Sequence, residues 1–158
     1  MKKFTLCLKI GVCFGLCLVL ISFSSYRSEE DETAYIQQKL TTHYNNEPEG
    51  SNIKKYELSI TSSGFCRYKR FFKNGMIEYF SFSLNKFRQL DYSGTVGSGT
   101  LYLRTKGDDV IVQTYNTKKG NDIDSMATTM IIPLKNIEAE ELNELQEKFL
   151  LLSQKLRK

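Results

Sequence analysis

Cys66 and His43, the single histidine, are the residues that could supply a nucleophile and its base. A thiol attacks as its thiolate, and an adjacent imidazole makes one by taking the proton. His43 lies in a stretch of helical periodicity and Cys66 in one of strand periodicity, so only the tertiary fold could join them. Taken singly, both are more simply packing residues. Two converging carboxylates would give a small hydrolase another route, with an acid and a base flanking the scissile bond. Glu138, Glu140 and Glu141 are dense enough to suggest this, but they fall in the first turns of a helical pattern and read as a solvated face.

Oxygen ligands for calcium would come from Asn121, Asp122 and Asp124 in GNDIDS. The rest of that loop signature, its Gly and terminal Glu, is absent. Zinc needs several Cys or His ligands, and beyond residue 24 the chain holds Cys66 and His43 alone. Gly94, Gly97 and Gly99 in SGTVGSGT precede a strand, and no Gly-Lys-Ser/Thr follows. A phosphate cradle needs a helix N-terminus behind its glycines. The sequence therefore predicts no catalytic residue, no metal and no cofactor.

What remains is charge. Lys54, Lys55, Arg67, Lys69, Arg70 and Lys73 stand against Glu57 alone across residues 53–73, interleaved with Phe65, Tyr68, Phe71 and Phe72. These six are the expected ligand-binding residues, and an anionic ligand suits them. The same charges would also guard a sheet edge against aggregation.

The charge of the whole chain says less. Lys2, Lys3 and Lys9 precede an apolar run from Ile10 to Phe23, well short of the roughly 20 residues a spanning helix needs. A basic start, a short apolar core and small residues at Ser22 and Ser24 match a secretory leader. Cleavage is expected between Ser24 and Ser25, with an uncleaved anchor as the alternative. Leu16 before Cys17 and Val12 before Cys13 argue against a lipidated cysteine. Processing would lower the formal charge from +4 to +1 and remove every cysteine but Cys66. No internal disulfide could then form, and a nearly neutral exported chain is not expected to bind nucleic acid.

Three regions follow from the 158 residues: a leader at 1–24, a short helix and linker at 25–52, and a β-rich domain with a C-terminal helix at 53–158. Ile36, Leu40, His43 and Tyr44 share one helix face within residues 30–44. From Ile53 onward the period becomes two. Seven short strands are predicted: one ending near Ile60, then Phe65–Lys73, Met76–Leu84, Phe87–Tyr92, Thr100–Thr105, Val110–Tyr115 and Ala127–Ile132. Asn74-Gly75 suits a two-residue hairpin turn, which would set Phe71 opposite Glu78 and Arg70 opposite Tyr79. Pro133 ends the strands, Asn136 is the expected helix cap, and Leu142, Leu145, Phe149, Leu152 and Leu156 define a helix over 137–157.

The predicted class is α+β: about seven antiparallel strands in a curved sheet or barrel, with a C-terminal amphipathic helix and a short N-terminal one. This order across residues 53–157 resembles the pleckstrin-homology-like barrel, with a cystatin-like helix on a curved sheet as the alternative. Lys55, Arg67 and Lys69 resemble the basic pattern by which some pleckstrin-homology domains hold inositol phosphates, which an exported chain would not meet in the cytosol. The expected function is an exported, secreted or periplasmic, non-catalytic binding module. Its partner would be a protein, a peptide or an anionic envelope surface, with membrane contact only through an uncleaved leader. The alternatives are a small envelope hydrolase, using a carboxylate pair or Cys66 with His43, and a scaffolding subunit of an envelope complex.

Overall fold

The computed structural model describes residues 32–47, 52–61, 63–115 and 122–157. The leader, residues 25–31 and Asn121 lie outside the described residues.

Helix α1 spans residues 32–42, and its Ile36 and Leu40, with Tyr44 just beyond, are buried as their spacing predicts. Among the described residues eight strands follow, all paired antiparallel: β1 (Ile53–Ile60), β2 (Phe65–Phe72), β3 (Ile77–Ser83), β4 (Phe87–Gly94), β5 (Gly99–Thr105), β6 (Val110–Tyr115), β7 (Ile123–Ala127) and β8 (Thr129–Leu134). A short 3-10 turn, Leu84–Lys86, joins β3 to β4, and helix α2 (Ala139–Lys155) closes the chain. The fold is α+β with a short N-terminal and a longer C-terminal helix. The predicted seventh strand, Ala127–Ile132, is really parts of two strands divided at Thr128.

The strands form two sheets, one of order β1-β2-β3-β6-β7 and one of order β4-β5-β8. Chain order is broken where β6 returns beside β3, so a single continuous meander does not describe the arrangement. The core lies on the inner faces. Leu58, Tyr68 and Phe82 of the larger sheet share it with Leu101, Leu103 and Ile132 of the smaller. Cys66 of β2 and Met130 of β8 meet there, sulfur to sulfur at 3.8 Å. The core side of α2 supplies Leu145, Phe149 and Leu152, all buried, and Phe149 stacks on Phe87 with ring centroids 5.0 Å apart.

The cap of α2 differs from expectation. Glu138 is the N-cap, and it and Glu141 exchange the two bonds of a capping box. Asn136 instead takes a left-handed φ of 52°, a conformation a short polar side chain tolerates. Pro133 lies inside β8 rather than after it. Its carbonyl accepts from Asn45 N, so its nitrogen faces the same outer edge and removes no bond to β5.

The β2–β3 hairpin is shifted by one residue from its expected register. Phe71 lies opposite Ile77, Arg70 opposite Glu78 and Lys69 opposite Tyr79. The loop holds three residues, Lys73, Asn74 and Gly75, with Gly75 at φ 87° and Gly75 N donating to Phe72 O. A turn followed by a left-handed glycine is the three-residue alternative to the two-residue loop. Asn74 supports it by accepting from Met76 N through Oδ1.

The outer edge of β1 is occupied by a side chain acting as a surrogate strand. Gln37 of α1 donates through Nε2 to Leu58 O at 2.7 Å and accepts through Oε1 from Ile60 N at 2.6 Å. Gln37→Ala should cost about 1–3 kcal/mol, because two part-buried backbone groups lose their partner. Urea unfolding measures this; an unchanged midpoint would mean that water replaces the amide without loss.

Candidate binding surface

Side chains alternate across a strand, so the register decides which cations share a face. On the larger sheet one outer row runs Lys55, Phe71, Ile77, Tyr115, and the next runs Glu57, Lys69, Tyr79, Gln113, Asp124. A third carries Ser59, Arg67, Ser81, Ile111 and Met126. Lys55, Arg67, Ile111, Tyr115 and Met126 are exposed, so this face is open to solvent.

Three cations are held over rings here. Lys55 Nζ lies 5.5 Å and Lys69 Nζ 5.0 Å from the Phe71 centroid, and the Arg67 guanidinium lies 5.5 Å from that of Phe65. Each such contact contributes only ~0.5–1 kcal/mol at an exposed site, so its main effect is to fix where the charge sits. Glu57 is the acid among them. Its hydrogen bond from Lys55, at 2.6 Å, holds its carboxyl below the ordinary range, and the charges of Lys55 and Lys69 act in the same direction.

The six sequence-predicted residues do not form one surface. Lys55, Arg67 and Lys69 share the outer face. Lys54 lies at the irregularity between Ile53 and Lys55, and Lys73 in the hairpin loop, both exposed. Shallow clefts of about 240 and 370 Å³ flank them, the first lined by Asn46, Ile53 and Tyr56, the second by Asn52, Phe72 and Met76. Arg70 points to the opposite, core-side face, pairs with Glu78 and sits among Tyr68, Phe72 and Phe80. The apolar end of the outer face, Ile111, Tyr115 and Met126, was not anticipated. The alternation in VIVQTY carried part of that signal, with Ile111 and Tyr115 on one parity and Val110 and Val112 on the other.

Cys66 and His43 are held by different groups. Cys66 is buried against Met130, and burial pushes its thiol up from the ordinary value, away from the thiolate. His43 Nδ1 donates to Lys135 O at 3.1 Å, while Nε2 lies 3.4 Å from the Glu141 carboxylate. Glu141 also takes a bond from Lys39, which with the Glu138 backbone holds its carboxyl below the usual range. Other acids are likewise paired with cations, Asp91 with Arg104 and Glu32 with Lys155. Among the described residues no cluster of three or more His, Cys, Asp or Glu is arranged around a metal, and no helix is long and apolar enough to cross a membrane.

Fold and surface together define an antiparallel α+β protein with a cationic and aromatic sheet face. Comparison with protein-family models, with curated proteins and with solved structures gives no match to this chain.

Proposed function

We propose that the chain is an exported, non-catalytic binding module whose outer sheet face engages a partner bearing negative charge, whether a protein, a peptide or the envelope surface. The observation behind this reading is the set of three cations, Lys55, Lys69 and Arg67, held over Phe71 and Phe65 on an open face. Cations already placed by rings lose less freedom when a ligand arrives than free side chains do. The rings add flat apolar area beside the charges, a mixture suited to acidic segments that also carry apolar groups.

Charge reversal tests it. Arg67→Glu with Lys69→Glu should weaken binding to an immobilised acidic, phenylalanine-containing peptide or to anionic vesicles at least about tenfold. Added salt should weaken the wild type and narrow the difference. Arg88→Glu with Lys106→Glu, both exposed and outside the face, is the matched control. Equal binding by the reversed variant, or no binding to either probe at low salt, would remove this face from consideration. Arg70 is unsuitable for the test, since its loss would disturb the fold itself.

A further inference from the structure

We propose that the outer edge of β7 is a self-association interface, where two copies pair antiparallel through Ile123–Ala127 about Ser125. A sheet edge offers a row of backbone donors and acceptors to any strand that can reach it. The larger sheet ends in β1 on one side and β7 on the other. The β1 edge is blocked at Leu58 and Ile60 by Gln37 and interrupted near Lys54 by the break in register. No described residue pairs with β7 on the side away from β6. Ile123 through Met126 are exposed, with Ile123 at 59% and Met126 at 53%. Tyr115 and Ile111 on the neighbouring strand are exposed as well, so large apolar side chains gather at this end of the sheet.

Within the larger sheet, with one edge blocked and one open, the arrangement that uses the open edge twice is a closed two-fold pair, whereas head-to-tail growth that extends this sheet would need the blocked edge. Directly opposed residues in a continuous sheet share a face, which leaves few registers. Pairing about Asp124 would set that carboxylate against its own copy. Pairing about Ser125 sets Asp124 opposite Met126 and Ile123 opposite Ala127, opposing no like charges and using all of β7. The occupant is therefore a second copy of this chain in that register. The two larger sheets become continuous, and the cations of β1 and β2 lie at both far ends. This pairing does not depend on an anionic partner.

The register places Ser125 against its own copy, with Cα atoms roughly 4.5–5.5 Å apart, inside the roughly 4.4–6.8 Å range of a disulfide. Ser125→Cys in the full-length chain should form a covalent dimer on mild oxidation, well above the wild-type background from Cys7, Cys13 and Cys17. Ile131→Cys, also exposed but on the smaller sheet, should not exceed that background. Light scattering should show a dimer mass for the wild type, and Ile123→Lys with Met126→Lys should weaken association at least about tenfold with an unchanged circular dichroism spectrum. A monomer at every concentration would overturn the proposal. So would a dimer that the Lys variants leave intact, or Ser125→Cys crosslinks that join β7 only to a different protein.

Discussion

Phe149→Ala is expected to destabilise the protein by about 3–5 kcal/mol, the usual cost of removing a fully buried ring. Set against a total of about 5–15 kcal/mol for an ordinary domain, this brings folding close to balance. Phe149 carries the contact of α2 with Phe87. Ser153 Oγ of the same helix donates to Phe87 O at 3.3 Å, and Arg157, just past the helix end, donates to Phe87 O and to Asn85 O of the preceding turn, both at 2.9 Å. Those bonds fix the pose of α2, but they do not replace apolar area taken out of water. Leu151→Ala, on the exposed side of the same helix, should stay within about 0.5 kcal/mol of wild type. Denaturant midpoints for the two variants decide the matter, and similar losses would refute the assigned buried face.

Glu78→Ala should cost about 2–4 kcal/mol, less than a fully enclosed pair because both side chains remain 21% accessible. The variant leaves the Arg70 guanidinium among three rings without its carboxylate. Replacing both residues, as Arg70→Met with Glu78→Leu, should return stability to within about 1 kcal/mol of wild type, since apolar groups suit those rings without needing a countercharge. A double variant as unstable as the single one would show that the pair is irreplaceable here, against this account. Adding the singles Arg70→Met and Glu78→Leu completes a double-mutant cycle, which reports the coupling directly.

The Arg70–Glu78 pair also shows where sequence reasoning stops. Both helices could be read from spacing, because burial of Ile36 and Leu40, or of Leu145, Phe149 and Leu152, repeats with the helical turn. Strand positions were mostly legible for the same reason, with a period of two. The hairpin register was not, because Asn74-Gly75 serves a two-residue loop or a three-residue one equally well. A slip of one residue changed the partner of Glu78 from Phe71 to Arg70, and the pair lies on the core-side face. The basic run was visible as composition, but its division into an outer trio and an inward Arg70 needed the register. The sheet order was hidden too, since pairing β6 with β3 joins segments far apart in the chain. The corner at Thr128 left little trace, because IDSMA has no apolar alternation of its own to set it apart from a loop.

The contact between Cys66 and Met130 has a chemical consequence of its own. The two sulfurs lie at the seam of the sheets, and neither side chain reaches solvent. Peroxide in the surrounding medium attacks a thioether or thiol only where it can touch it. Sulfoxidation of Met130 therefore waits for the sheets to part, and its rate becomes a clock for whole-molecule opening rather than for local fraying. Once formed, a sulfoxide in that apolar seam opposes reclosure, so each such event leaves a chemical record of one excursion from the native state.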